Sequence, residues 1–209
     1  MHRTGRDYGS VADGPFAPLY PYYARIMIER TGIASGHLLD VGSNQGNLGF
    51  AAWEQGNFSQ ITLLDPNERA LAKAAAIAAE RGIDNCYTLC CGVEAIDLPD
   101  ESVDLAISRG SMPFWDDQEA AIYELYRVLK PEGAAYIGGG IGTRSMAAAI
   151  TERMLENGMG EPFYNHQRGS KSLPDWEYAR IFADLGCSYA IIKSCDEGHW
   201  LMFSKKPSR

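Results

Sequence analysis

A chain of 209 residues with 45% hydrophobic and 22% charged side chains has the composition of one folded domain around a single core, not of a disordered or membrane-embedded polypeptide. Its 27 acidic against 19 basic residues leave a net charge of −8, and the one basic cluster is Lys205, Lys206 and Arg209, which argues against a nucleic-acid partner that needs clustered cations to follow phosphates. No run approaches the roughly 20 apolar residues that cross a bilayer, the opening MHRTGRDYGSVADGPF has no apolar leader core, and five cysteines make an odd set; a cytoplasmic protein with reduced thiols and no membrane span is expected.

In chain order, short apolar runs alternate with helical periodicity, the pattern of a parallel sheet covered by helices. A first helix runs from about Tyr20 to Thr31 and stops at Gly32; His37 to Val41 then reads as a buried strand that turns through small residues into a helix containing Phe50 and Trp53. Ile61 to Leu64 is a second strand, and the alanine-rich Glu68 to Glu80 is a strong helix closed by Gly82. Cys86 to Cys90 is a weaker third strand and Asp104 to Ser108 a fourth. Glu119 to Leu129 places Ile122, Leu125, Tyr126 and Leu129 on one helical face before Lys130-Pro131-Glu132-Gly133 stops it. Ala134 to Ile137 is a fifth strand, Ser145 to Leu155 a helix, and Gly158 to Ser172 a polar and aromatic loop. Pro174 to Leu185 is the last helix; Ser188 to Lys193 and Trp200 to Ser204 close the chain as a hairpin around Ser194-Cys195-Asp196-Glu197-Gly198.

The sharpest local signal is Leu38-Leu39-Asp40-Val41-Gly42-Ser43-Asn44-Gln45-Gly46-Asn47, a strand that ends in an acid and enters a helix through small residues. Such a turn lets a ligand approach the backbone and the unpaired N–H groups of the helix start, although a plain strand-to-helix turn carries the same Gly-x-x-x-Gly. Asp65 closes the second strand 25 residues after Asp40, where a carboxylate can accept both hydroxyls of a ribose lying over the switch point of the sheet. As a turn residue before Pro66-Asn67 it has an ordinary structural alternative.

With these residues the chain resembles the class I S-adenosylmethionine-dependent methyltransferases, and among them the small single-domain group that includes the ubiquinone and menaquinone methylases. The family motif D/E-x-G-x-G-x-G stands here as Asp40-x-Gly42-x-Asn44-x-Gly46, with asparagine, the best non-glycine residue for a left-handed backbone, in the middle. Glu94-Ala95-Ile96-Asp97-Leu98-Pro99 is similar to the family's D-A-x-x-L-P segment, and Arg127-Val128-Leu129-Lys130-Pro131-Glu132-Gly133 to its R-V-L-K-P-G-G. The resemblance implies an α/β fold, a Rossmann-like doubly wound sheet of seven strands, mostly parallel with a C-terminal antiparallel hairpin strand and helices on both faces. It implies one domain over residues 1–209, with a helical cap over 1–33, a cofactor-binding core over 34–142 and an acceptor side over 143–209. The implied cofactor is S-adenosylmethionine, with S-adenosylhomocysteine as product. Its contacts would be Asp40, Gly42, Ser43, Asn44 and Gly46, then Asp65 and Pro66 at the ribose, Glu94 and Ala95 at the adenine, and the backbone of Ser108, Arg109 and Gly110 at the amino-acid end. Acids at 40, 65 and 94 suit a cationic sulfonium without phosphate better than a dinucleotide.

Methyl transfer is an in-line displacement that chiefly requires alignment, so a catalytic side chain is not obligatory. His166 is the one candidate base read from the sequence, against its reading as a solvated loop residue. Tyr20, Tyr23, Phe114, Trp115, Arg144 and Tyr164 are candidate contacts to a small-molecule acceptor, and Arg109 and Arg144 could hold an acceptor anion, although Arg109 has the alternative of pairing with a neighbouring acid. Cys86, Cys90 and Cys91 lack zinc spacing and read as small buried hydrophobes. A monomer or homodimer is expected. A silent cofactor-binding sensor or subunit, and a protein methyltransferase, are the rival functions.

Overall fold

The computed structural model describes residues 13–158, 172–194 and 196–207. Helix α1 (Leu19–Thr31) precedes β1 (Ser35–Val41), α2 (Asn47–Gln55), β2 (Asn57–Leu64), α3 (Glu68–Glu80), β3 (Cys86–Leu89) and β4 (Val103–Arg109). After a 3₁₀ turn at Met112–Phe114 come α4 (Gln118–Val128), β5 (Leu129–Gly139), α5 (Arg144–Glu156), α6 (Asp175–Leu185), β6 (Ser188–Ser194) and β7 (Gly198–Ser204). The strands form one seven-stranded sheet in the order β3-β2-β1-β4-β5-β7-β6. Neighbours from β3 to β5 run parallel, while β7 is antiparallel to both β5 and β6. The expected doubly wound, mostly parallel sheet with a terminal hairpin is therefore present.

Residue chemistry explains the layering. The last five residues of β1 are all buried because helices cover both faces of this central strand, so no polar alternation survives in Leu38-Leu39-Asp40-Val41. One face packs Tyr23 and Met27 of α1, Phe50 of α2, Ala74 of α3 and Ile150 of α5 against Leu38, Ile61 and Ile107. On the other, Ile122 and Leu125 of α4 and Ile181 and Phe182 of α6 meet Leu39, Ala106 and Leu201. Helix ends follow the local chemistry: Gly32 and Gly186 take left-handed C-cap positions, and the side chains of Asn67, Asp117 and Thr143 accept N–H groups at the starts of α3, α4 and α5.

Three sequence expectations need correction. Strand β2 begins at Asn57, not Ile61, because its first four residues lie toward an exposed strand end and alternate in burial, leaving no continuous apolar run. Leu129 belongs to β5, not to the preceding helix: the residue before Lys130-Pro131 is already extended, and Leu129 pairs with Val103. The cysteines are not a buried set, since β3 is an edge strand; Cys86 and Cys91 are half-buried and Cys90 is exposed. Residues 159–171, within the anticipated loop, lie outside the described residues.

Candidate active site

Strands β1 to β5 end on the same edge of the sheet, so the segments that follow them share one rim, and the strand order reverses between β1 and β4. At that reversal the turn after β1 is pinned to its neighbour: Gly42 and Ser43 donate their N–H groups to the Leu64 carbonyl at 2.8 and 3.0 Å, and Gly46 N–H closes on Ser43 O at 2.8 Å. Residues 42, 44 and 46 have φ of 68°, 50° and 84°. Asn44 thus adopts the left-handed conformation that the middle position of the turn demands. Gly46 has no room for a side chain, since a Cβ would meet Phe50 at 2.7 Å and Leu63 at 2.9 Å.

Asp65 is tied to the same turn. Its Oδ2 accepts Asn44 N–H and its Oδ1 accepts Asn67 N–H, each at 2.8 Å. A carboxylate offers about four lone-pair directions, so two further acceptor positions remain. Asp40 behaves differently from the expectation that three acids line one pocket. Its side chain is fully buried and its Oδ2 accepts Gly49 N–H at 2.8 Å, tying β1 to α2. Burial pushes its carboxyl up to about 7, against the Gly49 hydrogen bond, with the Asp65 charge adding to the rise. Asp40 therefore braces the turn from beneath and does not contribute a full surface charge.

A proton held by folded Asp40 but released by the unfolded chain makes its contribution complete at acid pH, and that contribution is lost as pH rises through about 7. The buried ring of His37, between Ser102 O and Thr62 Oγ1, is shifted the opposite way by burial and loses its contribution as pH falls. An Asp40→Asn variant keeps the acceptor for Gly49 N–H and removes the titration. Urea melts from pH 5 to 8 should show the variant gaining on the parent as pH rises; a constant gap would refute this role of Asp40.

Glu94 faces the start of α4, where its Oε1 accepts Asp116 N–H at 2.8 Å and, less closely, Asp117 N–H at 3.4 Å. The next amide, Ala95 N–H, makes a 3.3 Å contact to Gly92 O. At the end of β4, Ser108 Oγ lies 2.6 Å from Ser111 Oγ, which donates to Val41 O at 3.3 Å and accepts the Trp115 indole N–H at 3.1 Å. This chain locks the turn after β4 to the end of β1. Gly110 follows with φ of 79°, and a Cβ placed there meets nothing within 4 Å, so the rim is open at this point. The buried Ser43 Oγ, in the turn after β1, has no hydrogen-bond partner among the described residues.

Among the acceptor candidates the structure separates packing residues from rim residues. Trp115 is buried in the core and Tyr23 is 1% exposed, with its hydroxyl accepting Gly142 N–H at 2.7 Å and donating to Glu197 O at 3.1 Å; both are struts, contrary to their expected part in acceptor contact. Arg144 lies in an exposed ion pair with Asp196 at 2.6 Å. Tyr20 is half-buried beside Arg109, and Phe114 is 69% exposed in the turn after β4. Pro66 is exposed on the rim. Tyr164 and His166 lie outside the described residues.

A second histidine was not legible from spacing. His199 stands on β7 opposite Gly139, the last residue of β5, with its ring edge toward Tyr178 and its Nε2 3.2 Å from Asp175 Oδ1. Tyr178 donates to the buried Gln118 at 2.5 Å, and Gln118 donates to Met112 O at 2.9 Å, so α6 supports the turn after β4 through a polar chain. Only the antiparallel hairpin carries a residue so late in the chain to this edge.

Together these features define a Rossmann-like protein whose glycine turn and Asp65 meet at the switch point of the sheet. The chain belongs to the class I S-adenosylmethionine-dependent methyltransferases. The profile of a family described as a methyltransferase domain matches residues 39–137. A candidate S-adenosyl-L-methionine-dependent methyltransferase from Methanococcus maripaludis is 31% identical, with 100% of this chain and 99% of that one covered at a TM-score of 0.85. The ubiquinone/menaquinone biosynthesis C-methyltransferase of Cupriavidus taiwanensis is 28% identical over 66% of this chain and 57% of its own length. The chloroplast 2-methyl-6-phytyl-1,4-hydroquinone methyltransferase of Spinacia oleracea is 30% identical over 49% of this chain and 29% of its own. The chain spans about half, or less, of the length of the curated relatives it matches. The cofactor of the family is S-adenosylmethionine, and the unpartnered Ser43 hydroxyl, the open rim at Gly110 and the spare lone pairs of Asp65 fit a ligand with amino-acid and ribose ends.

Proposed function

We propose that this chain transfers the methyl group of S-adenosylmethionine to a small-molecule acceptor. The observation that carries this reading is the switch-point turn, where left-handed residues 42, 44 and 46 and the two amides held by Asp65 shape one rim. When bound, the cofactor supplies an electrophilic methyl on a sulfonium. Asp65 receives the ribose hydroxyls and Glu94 the adenine amino group, with the Ala95 amide beside it. Gly42, Ser43 and the backbone from Ser108 to Gly110 line the amino-acid end. These residues bind and align, which is most of what an in-line displacement asks of a protein. Carbon or hydroxyl acceptors also need a proton removed.

The names of the curated relatives make a quinol-like ring the first acceptor class to examine, and the exposed Phe114 and half-buried Tyr20 give apolar faces near the rim. No described helix is long and apolar enough to cross a membrane; a cytoplasmic monomer or homodimer completes the reading. S-adenosylhomocysteine should raise the melting temperature while NAD does not; equal shifts from both would sink the cofactor assignment. Incubation with methyl-labelled cofactor and a metabolite extract should then label a low-mass pool. Label in protein alone would favour a protein substrate, and label in no pool a silent sensor.

A further inference from the structure

Arg109 ends β4 and points beneath the first helix, with its guanidinium 4.9 Å from the ring of Phe16 and 5.7 Å from those of Tyr20 and Tyr23. A guanidinium carries five N–H donors. Among the described residues one donation is made, from Nη2 to Gly140 O at 2.8 Å, and the buried Nε finds no hydrogen-bond partner. None of the ion pairs among the described residues includes Arg109, which overturns the expectation of a neighbouring acid.

Burial without a counter-ion disfavours the charged form, and the Arg109 pKa is pushed down accordingly. Three π faces offset part of that cost through cation–π attraction. They do not satisfy N–H donors that lie in the ring plane of the guanidinium. A cation kept in this condition holds unspent hydrogen-bonding capacity, and the next residue, Gly110, borders open space. Planar, forked donors match the paired oxygens of a carboxylate or a phosphate, and S-adenosylmethionine carries a carboxylate and no phosphate.

We propose that Arg109 is a carboxylate anchor at the end of β4. The carboxylate comes from the methionyl end of the cofactor or from the acceptor, two sources of one chemistry. The inference rests on the reading of this rim as the cofactor site, and 5′-methylthioadenosine, which has the nucleoside and sulfur but no carboxylate, keeps the two separable. If 5′-methylthioadenosine and S-adenosylhomocysteine both fail to bind the parent protein, the cofactor reading falls and not the anchor alone.

The test is titration calorimetry of both nucleosides against the parent, Arg109→Gln and Arg109→Lys. Loss of a charge-assisted hydrogen bond costs about tenfold or more in affinity. If the cofactor supplies the carboxylate, the parent prefers S-adenosylhomocysteine over 5′-methylthioadenosine and Arg109→Gln erases that preference while still binding 5′-methylthioadenosine like the parent. Arg109→Lys, with charge but no fork, retains part of it and serves as the folded variant should glutamine not be tolerated. If the acceptor supplies it, the preference is unchanged, but acetate, benzoate or succinate stabilises the S-adenosylhomocysteine-saturated parent and not the variant. An unchanged preference together with no carboxylate-dependent stabilisation overturns the proposal and leaves Arg109 as a cation–π strut.

Discussion

Asp65→Ala is expected to weaken S-adenosylhomocysteine binding by about tenfold to a hundredfold, the loss of one or two hydrogen bonds to a charged acceptor. The proposed ribose contact is one part of the effect. The other is pre-organisation: Asp65 holds the N–H of Asn44 and that of Asn67, so it fixes both the middle of the turn after β1 and the approach to α3. Removing it leaves the left-handed Asn44 without its side-chain acceptor and lets the turn sample other shapes before ligand arrives. Asp65→Asn keeps one carbonyl oxygen but replaces the other by an N–H₂ that cannot accept either amide. Its affinity should fall between those of the parent and the alanine variant. Calorimetric affinities of all three within twofold of one another would show that Asp65 is neither a ribose contact nor an organiser of the site.

Trp200→Ala should produce the largest stability loss, about 3–5 kcal/mol for an aromatic removed from a core. That corresponds to a fall in melting temperature on the order of 10 °C for a chain of this size. The indole is 1% exposed, with ring centroids 4.7 Å from Tyr23 and 5.4 Å from Tyr136. Its N–H donates to Glu197 O at 2.6 Å, the same carbonyl that receives the Tyr23 hydroxyl. Three parts of the chain therefore converge there: α1, the end of β5, and the β6–β7 turn. The close approach is visible at Gly140, where a Cβ would lie 2.2 Å from Glu197 O and 2.3 Å from Tyr23 Oη. Because Tyr23 belongs to the helix that covers Arg109, this node also sets the roof of the rim. In a double-mutant cycle with Tyr23→Leu, which removes the ring, urea unfolding should give a coupling of about 0.5–1.5 kcal/mol. Additive losses would mean that the two rings pack independently.

Much of the fold is legible because its central strands are buried on both faces and stand out as apolar runs, as Leu38 to Val41 and Leu105 to Ile107 do. Strand ends are harder to read. The Asn57–Gln60 part of β2 and the Leu129–Gly133 part of β5 are held by pairing with neighbours distant in sequence, and their own residues carry no sheet-forming pattern. The turn after β1 was accessible to local reasoning, since glycine and asparagine are the residues that tolerate left-handed backbone, and 42, 44 and 46 adopt it.

Side-chain roles in the site divide along the same line. Asp40 and Asp65 look alike in sequence, each an acid at a strand end, yet one is enclosed with Gly49 N–H while the other sits at the rim with acceptor capacity to spare. Trp115 and Phe114 are neighbours, one buried and the other exposed, because the 3₁₀ turn points them in opposite directions. His199 and Arg109 are the further cases: the first reaches the edge through the antiparallel pairing of β7 with β5, and the second, in no ion pair among the described residues, lies against the rings of Phe16, Tyr20 and Tyr23. Composition, periodicity and backbone preference are local properties, so the sequence by itself determined the fold class and the left-handed turn after β1. Direction and enclosure depend on contacts between segments far apart in the chain, so only the tertiary structure decided which acids face the rim, which aromatics are struts, and which cation is left with donors unspent.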